Sequence, residues 1–306
     1  MVANGAAMDK VTIDHYGPRG RSPWLDVDWR EHQRWVTVAG APVNLVDLGS
    51  GPAVVFVHGL AGSWQNWLEN LPEFARDHRV IALDLPGFGH SPMPADRITI
   101  TRYAAIVDEL LASLGVDDAT IVGNSMGGFV ALDMALRHAR RVRRLVLVAA
   151  AGVSRLRPGT DQALSALRRA ERLVIGYNAF LAARSDLASR RAKLRRHLLR
   201  LVAAHPEQLP APLVSEQLRA NGTAGFIDAI EALTTYPIED RLPAIAAPTL
   251  IVWGERDRLV PVGDATRLHR AIPNARGVIY ADTGHVPMLE RPQRFNADLR
   301  AFLTEA

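Results

Sequence analysis

IVGNSMGGFVAL, residues 121–132, places one serine among glycines at the point where an apolar run gives way to a helical pattern. Ile121 and Val122 end a run typical of a buried strand, and apolar residues recur at helical spacing from Phe129 onward. The intervening Gly-Asn-Ser-Met-Gly fits G-x-S-x-G, the strand–turn–helix elbow that presents Ser125 as a nucleophile. Glycines suit such a turn because strand and helix backbones approach closely there. A five-residue pattern also arises by chance, so an incidental serine in a glycine-rich turn stays open on this motif alone.

Strand and helix patterns alternate on both sides of this turn. Two alternating segments, 32–40 and 41–49, predict an antiparallel hairpin. Continuous apolar runs, typical of strands buried on both faces of a sheet, occur at 53–59, 79–87, 119–125, 143–152, 248–257 and 276–285. Helical patterns occupy 63–77, 100–115, 126–142, 262–272 and 292–303. We therefore predict an α/β fold, with a mostly parallel eight-stranded sheet flanked by helices.

The alternation stops between the sixth and seventh predicted strands. Residues 153–240 contain no buried-strand run, only arginine-rich helical segments broken by prolines. This segment interrupts the sheet, which predicts a helical cap over one end of the strands. We therefore expect an N-terminal arm at 1–30, a core made of 31–152 and 241–306, and a cap at 153–240.

Composition limits the possible functions. The 306-residue chain has no cysteine, which excludes disulfides, thiolate catalysis and cysteine-ligated metals. A net charge of +4 without a zinc-finger or RNA-binding signature gives no reason to expect nucleic-acid binding. The first residues lack the apolar core of a secretory signal, and no apolar run approaches the ~18 residues of a spanning helix. The sequence predicts a soluble cytoplasmic protein without stable membrane insertion, and it leaves monomer or homo-oligomer open.

Three predicted strand ends carry residues suited to nucleophilic catalysis, in the order serine, acid, histidine. Ser125, Asp257 and His285 each follow a predicted strand, and ligands of open α/β sheets bind at that edge. Histidine can accept the serine proton and return it to a leaving group, while a carboxylate orients the imidazole. Backbone N–H groups at Leu60 and Met126 can hold the developing oxyanion.

Each assignment has a plainer alternative. Asp257 lies in a charged run that, taken alone, is typical of a solvated loop, and an isolated histidine such as His285 is commonly structural. Asp84 also ends a predicted strand and is an alternative acid, although its neighbouring glycines and proline favour a turn-shaping role. We interpret His58 as supporting the oxyanion loop. The conjunction of four elements at strand ends, in this order, favours the catalytic interpretation.

Five motifs between residues 33 and 304 together resemble the α/β-hydrolase superfamily: HGLAGSWQNW, DLPGFGHSPMP, GNSMGG, WGERDRLVP and TGHVPMLERPQRF. The resemblance implies a capped fold and a catalytic triad of Ser125, Asp257 and His285. It also implies that Leu60 and Met126 are the oxyanion donors, and that no cofactor or metal is needed.

The resemblance leaves the substrate open. A serine at position 125 disfavours epoxide hydrolases and haloalkane dehalogenases, which use an aspartate. GNSMGG is similar to the elbow of carbon–carbon hydrolases that cleave vinylogous diketones. However, HGLAG differs from their glycine-proline-rich oxyanion segment, and Val286 stands where they usually carry tryptophan. We therefore predict a serine esterase acting on a small or medium carboxylic ester, with the carbon–carbon hydrolase and a non-turnover ligand receptor as alternatives.

The predicted cap suggests two further features. Its candidate pocket-lining residues are Leu173, Val174, Tyr177, Phe180 and Phe226, each of which can equally belong to the core of the cap. A helical wheel begun at Leu187 gathers leucines and Val202 on one side, with Lys193, Arg196 and Arg200 opposite. Such a helix can meet an anionic surface or steer acidic substrates. Alternatively, its apolar face packs on the cap and its arginines are solvated.

Overall fold

The computed structural model describes residues 8–154, 184–219 and 224–305. Their strands form one nine-stranded sheet in the order β1-β9-β8-β7-β6-β4-β5-β3-β2. All neighbouring pairs are parallel except β2 with β3 and β3 with β5. The strands are β1 Asp9–Val11, β2 Gln33–Val38, β3 Ala41–Leu48, β4 Ala53–Val57, β5 Arg79–Leu83, β6 Ala119–Asn124, β7 Val142–Val148, β8 Thr249–Gly254 and β9 Ala275–Tyr280.

The central strands are buried throughout and mostly apolar, as expected where helices cover both faces of a sheet. Every residue of β4, β6 and β8 is buried. Such strands read as unbroken apolar runs instead of alternating ones. Since β4, β6, β7, β8 and β9 run in one direction, the loops that follow them gather at a single edge.

The sheet has one strand more than the eight predicted. The extra strand, β1, comes from the predicted N-terminal arm and pairs in parallel with β9. Its three residues, Asp-Lys-Val, are too few and too polar to produce a strand pattern in the sequence. Farther along the arm, Trp24 is buried against the core. The arm therefore contributes structure that its composition does not predict.

The helices of the described residues flank the sheet or lie between β7 and β8. They are α1 Leu71–Phe74, α2 Ile100–Ser113, α3 Met126–Arg137, α4 Ser185–Arg190, α5 Ala192–Leu199, α6 Ala211–Arg219, α7 Phe226–Thr235, α8 Gly263–Ala271, α9 Pro287–Glu290 and α10 Pro292–Thr304. The single helix predicted over 63–77 is wrong: a 3-10 turn, Trp64–Trp67, precedes the short α1. Pro72 explains the division, because its ring lacks an N–H and is tolerated only in the first turn of a helix.

The basic helix predicted from Leu187 onward is also divided. Arg191 has extended backbone angles (φ −104°, ψ 108°), and it separates α4 from α5. A single helical wheel therefore does not describe this segment, and Leu187 and Leu201 are both about half exposed. None of the helices in the described ranges is long and apolar enough to cross a membrane.

Candidate active site

Ser125 occupies a strained turn between β6 and α3. Its backbone angles are φ 54° and ψ −116°, in a region that non-glycine residues rarely adopt. The Ser125 N–H donates to the carbonyl of Val148 at 3.0 Å, and the N–H groups of Phe129 and Ala151 donate to the Ser125 carbonyl. Neighbouring structure therefore holds the strained residue in place, as expected where strain serves a function.

The glycines of the elbow are required by backbone contact. A Cβ on Gly123 would lie 2.2 Å from the carbonyl oxygen of Gly127, and one on Gly127 would lie 2.1 Å from that of Val57. These approaches are closer than real Cβ atoms tolerate. The steric reason that the sequence suggested for G-x-S-x-G therefore holds here, which argues against an incidental serine.

Asp257 and His285 meet in a buried pair. The Nδ1 atom of His285 lies 2.7 Å from Oδ2 of Asp257, and the two side chains are 6% and 0% exposed. Oδ1 of Asp257 accepts hydrogen bonds from the N–H groups of Leu259 (2.8 Å) and Val260 (2.9 Å). With both carboxylate oxygens engaged, Asp257 has a fixed orientation. A donating Nδ1–H leaves Nε2 of His285 as the basic nitrogen.

Asp84, the alternative acid, serves the loops instead. It is fully buried and accepts hydrogen bonds from the N–H groups of Trp64 and His90 and from the side-chain amide of Asn44, each at 2.8 Å. His58 is buried nearby, with Nδ1 2.7 Å from the Gly59 carbonyl and Nε2 accepting from the Leu85 N–H. Burial lowers the pKa of His58, which keeps the ring neutral. Both residues therefore support the loop that follows β4.

Sequence reasoning missed Glu290, whose buried carboxylate holds the loop of His285 from beneath. It accepts hydrogen bonds from the N–H groups on either side of the histidine: Gly284 at 3.0 and 2.8 Å, and Val286 at 3.2 Å. It also accepts from the Ala204 N–H at 2.9 Å. Burial raises the pKa of Glu290, while these donors oppose that shift. The motif TGHVPMLERPQRF contains this acid, but its Glu-Arg-Pro-Gln run looks like a solvated surface.

Tyr16 links the N-terminal arm to the same carboxylate. Its hydroxyl donates to Oε2 of Glu290 at 2.6 Å and accepts from the His205 N–H at 2.9 Å. The Arg291 guanidinium lies over the Tyr16 ring, 4.7 Å from its centroid. Burial and Glu290 raise the pKa of the Tyr16 hydroxyl, so it remains a donor. The arm, the segment 153–240 between β7 and β8, which we call the insertion, and the His285 loop therefore meet at Glu290.

The two predicted oxyanion residues follow β4 and β6, which are neighbouring strands of the sheet. Leu60 lies in the turn after β4, and Met126 begins α3, where the first N–H groups of a helix have no helical partner. The two segments touch, because a Cβ built on Gly59 would lie 3.2 Å from Cβ of Ser125. Positive charge at the start of α3 favours an anion beside Ser125.

A cavity of about 1140 Å³ opens over these residues. Ser125, His285, Leu60 and Phe226 all contribute to its wall, whereas Met126 is buried behind it. The other four predicted pocket residues, Leu173, Val174, Tyr177 and Phe180, lie outside the described residues. Several further lining residues come from the insertion: His197, Leu198, Leu199, Arg200, Leu201, Val202, Gln217 and Leu218.

The described residues contain no group of three His, Asp or Glu side chains arranged to hold a metal ion. The arrangement that they do contain, a strained serine and an acid-bound histidine on one cavity, is suited to nucleophilic attack on a carbonyl.

The sequence of this chain is similar to those of known hydrolases. A family model described as alpha/beta hydrolase fold matches residues 52–292. The 2-hydroxymuconate semialdehyde hydrolase of Pseudomonas sp. (strain CF600) is 31% identical over 292 residues, covering 89% of this chain and 94% of that protein.

Two solved structures are also similar. A bacterial membrane phospholipase A is 31% identical, with a TM-score of 0.68 and coverage of 89% of this chain and 85% of that one. A thermophilic esterase from Thermogutta terrifontis is 25% identical, with a TM-score of 0.74 and coverage of 89% and 97%.

Proposed function

This chain belongs to the α/β-hydrolase family, and we propose that it is a serine hydrolase cleaving small to medium carboxylic esters. One observation carries the proposal: Ser125, on a strained elbow, and His285, bound to Asp257 at 2.7 Å, line the same cavity. In this proposal the core comprises residues 31–152 and 241–306. Residues 153–240 form a cap, and residues 1–30 form an arm.

The proposed reaction has two stages. The Ser125 hydroxyl attacks the ester carbonyl carbon while Nε2 of His285 takes its proton. The tetrahedral intermediate collapses, and the alcohol leaves with that proton. His285 then removes a proton from water, which attacks the acyl-enzyme, and the acid is released as the acyl–oxygen bond breaks and His285 returns the proton to the Ser125 oxygen. Asp257 stabilises the imidazolium in both stages, and the N–H groups of Leu60 and Met126 stabilise the oxyanion.

Ester cleavage is favoured over the alternatives by the surroundings of His285. Val286 lines the cavity beside the histidine and is 5% exposed. A tryptophan, as carbon–carbon hydrolases usually carry there, would fill part of this space. The similarity to an esterase and to a phospholipase A, both ester hydrolases by name, supports the same proposal.

Cleavage of a carbon–carbon bond is the second candidate. It is favoured by the 31% identity to a 2-hydroxymuconate semialdehyde hydrolase along nearly its whole length, and by the GNSMGG elbow. The same triad can serve either bond, so the substrate decides between them. A chain that binds such compounds without turnover would be a receptor.

Graded p-nitrophenyl esters, assayed beside one vinylogous diketone, test the proposal. We expect turnover of the esters, with kcat/KM passing through a maximum as the acyl chain lengthens to fill the cavity. Turnover of the diketone alone would establish the second candidate, and binding without turnover of either would establish the receptor.

A fluorophosphonate tests the nucleophile separately. We expect one adduct per chain, at Ser125, because a histidine-activated hydroxyl attacks this reagent and the adduct occupies the oxyanion site. Mass spectrometry of the digested protein locates the adduct. Labelling at another serine would contradict the assignment, and His285→Ala, which removes the base, should suppress labelling at Ser125.

A further inference from the structure

The insertion presents a basic face on α5, the helix whose last residues and the following Arg200 line the cavity. Between residues 184 and 219 there are eight Lys or Arg and three Asp or Glu. Along α5, Leu194, Leu198 and Leu199 pack toward the core, whereas Lys193 and Arg196 are exposed on the other side. The α5 helix therefore turns its leucines inward and its cations outward.

Two of these cations are available to an anion. Among the described residues, neither the Lys193 ammonium nor the Arg200 guanidinium has a carboxylate within ion-pair distance. Arg196 pairs with Glu207 at 2.9 Å and remains 70% exposed. Arg195 differs, because it donates to the carbonyls of Ser189 and Glu207 and so holds the segment together. We call Lys193, Arg196 and Arg200 the rim cations.

Two half-exposed leucines lie at the edge of the cavity, one of them directly after the rim cation Arg200. Leu201 is 51% exposed and Leu259 is 47% exposed, and both line the cavity that contains Ser125. Nη1 of Arg258 donates to the carbonyl of Arg200 at 3.0 Å, which joins the two loops at the residues immediately before these leucines. Leu201 and Leu259, the rim leucines, therefore form an exposed apolar edge across the loop junction.

Exposed apolar side chains next to a basic helix face match the chemistry of an anionic bilayer. Leucines gain free energy by entering the acyl boundary, and lysine and arginine are attracted to phosphate headgroups. A soluble acidic substrate would use the cations but would leave the half-exposed leucines in water. The combination therefore favours a lipid surface over a small anion.

We propose that the rim leucines and rim cations dock this protein on an anionic lipid surface, so that the cavity over Ser125 opens toward the membrane. Docking is peripheral. The substrate class that it implies is an ester that resides in the bilayer and enters the cavity from there. That substrate class rests on the proposed esterase function, whereas docking itself does not depend on turnover.

Vesicle co-sedimentation tests docking in the full-length Ser125→Ala protein, which leaves lipid esters intact. We expect binding to phosphatidylcholine vesicles containing phosphatidylglycerol and much weaker binding to pure phosphatidylcholine. Binding should fall as salt shortens the screening length from ~10 Å at 0.1 M to ~3 Å at 1 M. Equal binding to both vesicle types, or binding to neither, would overturn the proposal.

Substitutions locate the docking surface. Lys193→Gln with Arg196→Gln should weaken partitioning onto anionic vesicles by about tenfold, since each surface cation near such a membrane contributes to binding. Arg76→Gln with Arg140→Gln is the matched control: it removes the same charge at exposed positions just before β5 and β7, at the opposite edge of the sheet.

Leu201→Ser should also weaken binding, and Leu25→Ser on the arm should not. Equal losses in test and control variants would mean that total charge, not the rim, drives binding, and would overturn the proposal.

Hydrolysis of a soluble neutral ester separates this proposal from the esterase function. In otherwise unaltered protein, we expect Lys193→Gln with Arg196→Gln to leave kcat/KM for that ester unchanged. Absent ester turnover with intact vesicle binding would contradict the esterase function alone. Lost kcat/KM for an anionic soluble ester, without any vesicle binding, would replace docking by steering of acidic substrates.

Discussion

The loops of the core and the helices of the insertion line the same cavity but differ in how they are held. Around His285, backbone and side-chain groups are buried and bonded to Asp257, Glu290 and Val202. Helix α5, whose last residues also line the cavity, contains no buried residue. A reacting group must be held to within a fraction of an ångström, whereas a lid needs only to cover the cavity and to admit the substrate. The difference suggests that the core, together with the segment at Val202–Ala204 that is bonded to it, positions the reacting groups, whereas helices α5 and α6 determine access.

The first test of this division is to remove the proposed reacting groups. We expect Ser125→Ala to lower kcat for an ester by ~10⁶-fold and Asp257→Asn by ~10⁴-fold, the scale seen for triads in proteases. The measurement is kcat on folded protein, verified by circular dichroism. Asp84→Asn is the matched control, because Asp84 is equally buried but bonds to loop amides. If Asp84→Asn lost as much activity as Asp257→Asn while remaining folded, the acid would be wrongly assigned.

The next test concerns the carboxylate beneath the His285 loop. Glu290→Gln cannot accept all of the hydrogen bonds from Gly284, Val286 and Ala204, so the histidine should move by a fraction of an ångström. We expect kcat to fall by roughly 10²-fold with KM nearly unchanged, since misplacement of a catalytic group has effects of this size.

Tyr280→Phe provides the control for Glu290→Gln. It removes a similar buried bond, from the Tyr280 hydroxyl to Asp298 at 2.6 Å, on the side of α10. Its kcat should stay close to that of the wild type. Equal losses of kcat in the two variants would mean that general destabilisation, and not the position of His285, explains the effect.

The sequence predicts the catalytic residues far better than it predicts the residues that hold them in place. Ser125, Asp257 and His285 could be located because each follows an apolar run long enough to be recognised as a buried strand. Glu290 could not, because its partners are mostly backbone N–H groups, which leave no trace in residue types. Tyr16 was missed for a related reason: its bond to Glu290 spans 274 positions of the chain.

The break at Arg191 shows the same limit in the insertion. Leucine and arginine both favour helices, so the pattern from Leu187 to Val202 predicts one helix. The segment bends instead, and Arg195 stabilises the bend by donating to the carbonyls of Ser189 and Glu207. Local propensity is thus overridden by hydrogen bonds from Arg195 to backbone carbonyls outside α5.

The pH dependence of folding stability should distinguish a buried histidine of the core from an exposed histidine of the insertion. Burial lowers the pKa of His58, so the folded protein resists protonation while the unfolded chain binds a proton near pH 6.5. Stability therefore falls as pH drops below about 6.5, by up to ~1.4 kcal/mol per pH unit from this group. Urea unfolding at pH 7 and pH 5 measures it: His58→Gln should lose less stability than the wild type over this interval.

His197→Gln is the control for His58→Gln. His197 is an exposed residue of α5, so its replacement should leave the pH profile of stability unchanged. If the profiles of His58→Gln and the wild type ran parallel, burial of His58 would not contribute to acid sensitivity.

The smallest effect is expected where the insertion touches the core loop. Gln217 on α6 accepts from the Asn66 amide at 2.8 Å and donates to the Gln65 carbonyl at 2.9 Å. Gln217→Met keeps the length of the side chain but removes both bonds, each contributing about 1 kcal/mol. Because neither bond involves a reacting group, we expect KM for an ester to rise by roughly threefold to tenfold while kcat stays within about twofold.

Gln208→Met, at an exposed position of the same insertion, should change neither constant. A fall in kcat for Gln217→Met comparable to that for Glu290→Gln would mean that α6 helps to position the reacting groups, and the assignment of α5 and α6 to access would be wrong.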